Sequence, residues 1–104
     1  MKYSTQTEVV RDLFIPLITD FLNQTISAAE FETSFLKTRS EYIDLDWDKA
    51  LHDIFSEIFL DVDEYTTDPD PNFSQYEIDE NELRKRCTKN LTRLKSRIDQ
   101  LTSV

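Results

Sequence analysis

The sequence contains no glycine among its 104 residues. Glycine is the usual residue for positive φ, so its absence disfavours phosphate-cradling loops, tight primed hairpins and dinucleotide-binding turns. The chain is 38% hydrophobic and has seven Phe, which is enough apolar material for one core. We therefore expect a single domain, built from helices that are joined by Asn, Asp, Ser and Pro.

Histidine and cysteine each occur once, as His52 and Cys87. One cysteine cannot form an internal disulfide, which is consistent with a reducing compartment, and without a second His or Cys a transition-metal site is not expected. We expect His52 to be a partly buried structural imidazole at the edge of its helix's apolar stripe. Cys87 is expected to be a small core residue, and no cofactor or metal is predicted.

Long apolar runs are also missing. The first ten residues, MKYSTQTEVV, lack the continuous apolar segment of a signal peptide, and no cluster of apolar residues approaches the length of a membrane span. We therefore expect a soluble cytoplasmic protein that makes no contact with a membrane.

Basic residues are almost absent from the middle of the chain. Residues 41–82 contain fifteen acids and one Lys or Arg, Lys49, which is a formal charge of −14. Residues 83–104 contain seven bases and one acid, a formal charge of +6. Because a net-acidic surface repels phosphates, this pattern argues against direct nucleic-acid binding and favours a basic protein partner.

Apolar residues recur at spacings of three and four in four segments, the pattern of amphipathic helices. The four predicted helices span about residues 5–23, 27–44, 46–64 and 79–101. Pro16 predicts a kink in the first helix, and Phe59 is placed in the apolar stripe of the third. With short connections and no strand pattern, the predicted fold is all-α, a single antiparallel four-helix bundle.

Capping patterns support two of these helix starts. Ser27 with Glu30 forms a capping box, and Asp79 with Glu82 forms a similar arrangement. Residues 65–78, between the third and fourth helices, contain two prolines that disfavour helix, so we predict an acidic loop there.

The third helix has an acidic ridge on one side. At 100° per residue, five acids fall within an 80° arc: Asp46, Asp53, Glu57, Asp61 and Glu64. Like charges four residues apart destabilise a helix by roughly 0.2 to 0.5 kcal/mol per pair. Two interpretations are open: a solvated face neutralised by Arg84, Lys85, Arg86 and Lys89 of the fourth helix, or an anionic face that docks on a positively charged protein.

Catalytic and calcium-binding sites are weakly supported. Carboxylate pairs are so abundant that no single pair stands out as an acid and base, and no nucleophile is marked. The stretch from 61 to 72 resembles a calcium loop, but Thr66 and Asn72 stand where an EF-hand requires Gly and Glu. We therefore do not expect an enzyme.

Two short motifs resemble those of the colicin D immunity proteins and their relatives. Residues 76–79, Tyr-Glu-Ile-Asp, open the fourth helix, and residues 26–31, Ile-Ser-Ala-Ala-Glu-Phe, resemble the start of that family's second helix. Element order and length fit as well, over about residues 10–98. The acidic stretch 63–73 is longer than expected for colicin D's own inhibitor, so a different cognate toxin is expected.

The resemblance implies a bacterial immunity protein that binds and blocks a tRNA-cleaving toxin domain, from a colicin-like bacteriocin or a contact-dependent inhibition system. A monomer would form a 1:1 complex, presenting acids where the nuclease expects tRNA phosphates. The predicted partner-binding residues are Asp53, Glu57, Asp61, Asp63, Glu64, Tyr65, Asp68, Asp70, Tyr76 and Glu77. The alternatives are an acidic adaptor or nucleic-acid mimic acting on another basic protein, and an enzyme that uses a divalent cation.

Overall fold

The computed structural model describes residues 3–65 and 78–102, and within those ranges all regular structure is helical. An isolated bridge between Tyr65 and Ile78 is the one β-type contact in this part of the chain. The four helices are α1 (Gln6–Val9, π-helical Val10–Phe14 and Ile15–Leu22), α2 (Ala28–Glu41), α3 (Lys49–Glu64) and α4 (Glu80–Thr102). The predicted all-α class is confirmed, whereas the antiparallel direction of all four helices stays a prediction.

Pro16 does not end α1. It lies in the first turn of the Ile15–Leu22 segment, directly after the π-helical stretch, where the Ile15 N–H donates to the carbonyl of Val10. Because proline has no N–H to donate, a local widening of the helix lets the chain continue past it. The disturbance expected at Pro16 therefore takes the form of a π-helical stretch.

The connection between α2 and α3 is longer than the sequence pattern predicts. Helix α2 ends at Glu41 rather than near 44, and α3 begins at Lys49 rather than at 46. Two hydrogen bonds hold the intervening backbone: within the connection, the Trp47 indole N–H donates to the Tyr42 carbonyl at 3.0 Å, and the Asp48 N–H donates to the Gln6 side chain of α1 at 2.6 Å. Helical periodicity carries no information about these contacts.

The predicted caps are present. The Ser27 hydroxyl and the Glu30 carboxylate each accept the other's backbone N–H at 3.1 Å, which is the capping box. Asp79 accepts the Glu82 N–H at 2.9 Å at the start of α4. These bonds satisfy backbone donors that have no partner inside the helix.

The absence of glycine is visible at the end of α1. Gln24 has φ 64°, in the left-handed region that glycine normally occupies after a helix. The Gln24 N–H donates to the Phe21 carbonyl and the Thr25 N–H to the Asp20 carbonyl, which is the Schellman arrangement. Gln24 thus occupies the left-handed position after the helix end that glycine usually takes.

The core is rich in aromatic residues, and the helices differ in how closely they pack around it. Helix α4 packs along both α1 and α3, and α1 packs against α2. Helices α2 and α3 approach each other through rings, with the centroids of Phe35 and Phe55 6.4 Å apart, and Phe14 packs on Phe55 at 4.5 Å. Helix α3 therefore packs closely along α4 and contacts α1 and α2 through aromatic rings, and no helix among the described residues covers its outer side.

Candidate partner-binding face on the third helix

The acids of α3 fall on the boundary with α4, and most of them face a base. At the start of the helix, Asp48 accepts two hydrogen bonds from the Arg97 guanidinium at 2.6 and 2.9 Å. Asp48 also caps the helix by accepting the Leu51 N–H at 3.1 Å. One turn later, Lys49 pairs with Asp53 at 3.0 Å on the exposed surface. These two acids at the start of α3 are therefore neutralised within the fold.

Asp48 is strongly affected by its partner. The hydrogen bonds from Arg97 lower the pKa of Asp48 to about 2, against the opposing effect of burial and with help from the Leu51 N–H. The same pairing raises the pKa of Arg97. The carboxylate is therefore ionised at neutral pH, where it caps α3 and pairs with Arg97 near the end of α4.

In the middle of α3, Glu57 is paired twice. Its carboxylate accepts a hydrogen bond from Arg93 and lies 3.9 Å from the Lys89 ammonium. The Glu57 side chain is still 43% exposed, so a part of its surface faces solvent. Neutralisation by bases of α4 was one of the two interpretations of the acidic ridge, and Glu57 agrees with it.

The last turn of α3 contains a cluster centred on Arg86. The guanidinium lies 3.0 Å from the carboxylates of both Asp61 and Glu64 and 3.2 Å from that of Glu82. Asp61 is only 6% exposed, whereas the Glu64 and Glu82 side chains are partly open to solvent. The structure thus places Asp61 inside the bundle, where it holds Arg86, rather than on the exposed face.

One base shared among three acids leaves each acid only partly compensated. Burial raises the pKa of Asp61, and the nearby charges of Glu57 and Glu64 add to this rise, while the hydrogen bond from Arg86 opposes it. Burial alone would lower the pKa of Arg86, but its bonds to the three carboxylates outweigh that effect and raise it. Arg86 is therefore a fixed positive charge in a locally acidic surrounding.

Asp63 differs from the other acids of α3. It is exposed, and within the described part of the chain it has no ion pair. Around it, Asp61, Glu64 and Glu82 share the single positive charge of Arg86, so the formal charge of this end is −3. We call the two accessible acids at this end of α3, the exposed Asp63 and the partly exposed Glu64, the acidic end. Asp46, the first acid of the ridge, is also exposed and without an ion pair among the described residues, but it lies before the start of α3.

Tyr65 closes α3 beside the acidic end. Its backbone pairs with Ile78, whose N–H donates to the Glu64 carbonyl at 2.9 Å, so the chain re-enters the bundle at this point. The ring is half-buried against the core. Burial raises the pKa of Tyr65, and the charges of Glu80 and Glu32 add to this rise. The phenol is therefore neutral and has limited surface for a partner.

The remaining predicted contact residues lie outside the residues that the structure describes. They are Asp68, Asp70, Tyr76 and Glu77. The chain leaves α3 at Tyr65 and returns at Ile78, and both ends of the intervening segment meet at the acidic end. The four residues stay predictions.

Two features of α3 differ from the sequence prediction. Phe59, assigned to the core stripe, is 43% exposed, and Leu60 next to it is 56% exposed. His52 was expected to be partly buried, but its side chain is 57% exposed and lies 3.9 Å from Asp53. Both errors have one cause: α2 does not pack closely along α3, so the buried sector of α3 is narrower than its apolar stripe.

Within residues 3–65 and 78–102, no three His, Cys, Asp or Glu side chains are grouped to hold a metal ion. In the same ranges no helix combines the length and the apolar character that crossing a bilayer requires. Cys87 is buried in α4, and burial, the largest effect, raises the pKa of its thiol to about 12, with the Asp61 charge adding to it. A neutral buried thiol of this kind is a core residue, as predicted.

A comparison with known families places these features in context. The family model described as bacterial self-protective colicin-like immunity matches residues 10–94, which include all of α2 and α3 and most of α1 and α4. No curated protein matches the chain. The match covers most of the sequence, so the chain belongs to the colicin-like immunity family: it binds and neutralises a bacterial toxin, and the family is generally non-enzymatic.

Proposed function

We propose that this member of the immunity family neutralises a tRNA-cleaving toxin, of the colicin D type or from a contact-dependent inhibition system. Its acidic end occupies the basic cleft in which the toxin holds tRNA phosphates. A nuclease must present Lys and Arg to bind a polyanion, so a rigid anionic protein surface competes for the same groups. The observation that carries the proposal is the excess of acids over bases at the end of α3, where three carboxylates share Arg86 and Asp63 has no ion pair among the described residues.

The distribution of ion pairs decides which acids take part. Asp63 and Glu64 make the direct contacts, since both are accessible and lie at the end of α3, where acids outnumber bases. Asp53 and Glu57 border the interface, where their own bases reduce their contribution. Asp61 acts by holding Arg86 and, with it, the position of Glu64.

The predicted contacts of residues 66–77 extend this face. Asp68, Asp70, Tyr76 and Glu77 come after the acidic end in the chain, and the described residues that flank them, Tyr65 and Ile78, lie beside it. Together with Tyr65 they supply further acids and the aromatic groups that often carry affinity at interfaces. We propose one monomer per toxin domain, acting in the cytoplasm of the bacterium that makes the toxin.

Electrostatic attraction has a kinetic benefit for an inhibitor of this kind. Complementary charge raises association rates from about 10⁵–10⁶ to as much as 10⁸–10⁹ M⁻¹s⁻¹ at low salt. An immunity protein has to bind newly made toxin before the toxin cleaves its substrate, so fast capture matters as much as a low Kd. Because the acids of the acidic end exceed the nearby bases, they favour approach of a basic toxin in the productive orientation.

Co-expression tests the proposal. We expect the toxin gene to lie immediately upstream of this chain's gene; the domain encoded there is expressed with and without the chain, and cell survival and tRNA integrity are scored. We expect survival and intact tRNA only with the chain. The variant Leu94→Asp serves as a control, because a charge at this fully buried position abolishes the fold and with it protection. Survival without tRNA cleavage in the unprotected cells would contradict the assignment of a tRNase.

A further inference from the structure

The outer side of α3 has two large apolar side chains that the fold leaves uncovered. Phe59 is 43% and Leu60 56% exposed, the first of them an aromatic residue on a regular helix. Single exposed apolar residues are common in proteins and need no explanation. These two are adjacent in the sequence, and their surroundings on the helix are unusual.

Carboxylates lie beside both of these side chains. Asp63 follows Phe59 by four residues and Leu60 by three, so the three side chains are neighbours on the helix surface. Glu57 and Glu64 lie three residues before and four residues after Leu60, on its other side. Both are held in place by bases of α4, Arg93 and Arg86 respectively. The result is an apolar centre with an acidic border.

We infer that Phe59 and Leu60 are apolar anchors of the toxin interface and that they insert into an apolar depression of the toxin surrounded by Lys and Arg. This inference rests on the proposed function, because it names the contact by which the acidic end is held on its partner. A central apolar contact with a charged border is the usual arrangement of energetically important interface residues.

Charge selects the occupant of this face. A second copy of the chain would bring the carboxylates around one apolar pair against those of the other, and like charges facing each other disfavour such a contact. A basic protein surface instead pairs each bordering carboxylate. The fixed helix backbone means that little conformational freedom is lost on binding, so the contact can be strong for its size.

The test is a set of dissociation constants, measured by calorimetry with the purified toxin domain encoded upstream. We expect Phe59→Ala to weaken binding by about 30-fold or more, the range of an interface anchor, and Leu60→Ala by about tenfold. Ile43→Ala is the matched control. Ile43 is 58% exposed but lies in the connection between α2 and α3, before the start of α3 and away from Phe59 and Leu60 in the chain. Its dissociation constant should stay within about twofold of the original.

Stability must be measured in parallel, because Phe59 is also partly covered by the fold. Urea midpoints show whether each variant is folded, and Leu60→Gln, at a more exposed position, provides a second variant that keeps the side-chain length. Wild-type affinity in the Phe59 and Leu60 variants, or an equal loss in Ile43→Ala, would overturn the inference while leaving the proposed function intact. A wild-type dimer in ultracentrifugation that Phe59→Ala abolishes would also overturn it. Absence of binding by the wild-type chain would remove the proposed function itself.

Discussion

Asp61 and Asp63 are the same residue type, two positions apart on one helix, and they do different work. Asp61 is 6% exposed and bonded to Arg86, so it joins α3 to α4. Asp63 is exposed and has no ion pair among the described residues, so it adds to the charge that a partner meets. The acids of α3 are thus divided by the fold into acids that hold the molecule together and acids left for binding.

The same division separates the two ends of α3. At the start, Asp48 and Asp53 are each matched by one base. At the end, one arginine is shared among three carboxylates. The ion pairs also run in opposite order along the two helices, from Arg97 with Asp48 to Arg86 with Glu64, so α3 and α4 are antiparallel to each other. The acids at the end of α3 therefore lie beside the first turns of α4.

The largest expected effect comes from reversing the buried acid. Asp61→Lys places an ammonium against Arg86 in a buried position, and breaking such a pair costs about 3 to 5 kcal/mol. Urea unfolding monitored by circular dichroism should show this loss. The matched variant Asp63→Lys, which changes the same charge at an exposed position, should lie within about 0.5 kcal/mol of the original. Equal stability of the two variants would contradict the division between Asp61 and Asp63.

A smaller effect, dependent on pH, is expected at the neutralised end of α3. Asp48→Asn keeps the helix cap but removes the charge that pairs with Arg97. Because the folded pKa of Asp48 is about 2 and its unfolded value about 3.9, the charge stabilises the fold above pH 4, and this contribution is lost as pH falls toward 2. The free energies of unfolding of wild type and variant should therefore converge between pH 4 and pH 2.

The comparison needs a control variant whose difference from wild type in free energy of unfolding does not depend on pH. Leu60→Gln, which changes no charge, should differ from wild type by the same amount at pH 7 and at pH 2.5. A difference between wild type and Asp48→Asn that stays constant over this range would show that the pair with Arg97 does not lower the pKa of Asp48.

The smallest expected effect lies away from the acids, at Gln24. Its left-handed backbone costs a non-glycine residue about 1 kcal/mol, of which the greater flexibility of unfolded glycine cancels a part. Gln24→Gly should therefore raise the free energy of unfolding by about 0.5 kcal/mol, and Gln24→Ala should not raise it. Neither variant should alter toxin binding, which gives the charge variants a reference for pure stability changes.

The sequence predicts what is local and misses what depends on neighbouring elements. Helix number, the capping box at Ser27 and the cap at Asp79 follow from spacing along the chain, and the structure has all of them. The exposure of His52 and Phe59 depends on whether α2 packs along α3, which no periodicity reveals. The burial of Asp61 likewise depends on Arg86, twenty-five residues away.

One signal in the sequence pointed toward the exposed apolar pair. Phe59 lies at the edge of the apolar stripe of α3, which is wider than one neighbouring helix can cover. Leu60 lies outside that stripe, on the same side of the helix as Asp53. A helix with apolar residues on more than one side has more such surface than a single neighbour can cover. Deciding which of them stay exposed requires the position of every other helix.

The most direct test of the acidic end is the dissociation constant of Asp63→Lys for the toxin domain encoded upstream, measured at low and physiological salt. We predict binding about 10- to 100-fold weaker than wild type, with a smaller dependence on salt and an unchanged urea midpoint. Asp99→Lys, the same change at an exposed acid near the far end of α4, should bind within about twofold of wild type. Equal dissociation constants for Asp63→Lys and Asp99→Lys would contradict the account.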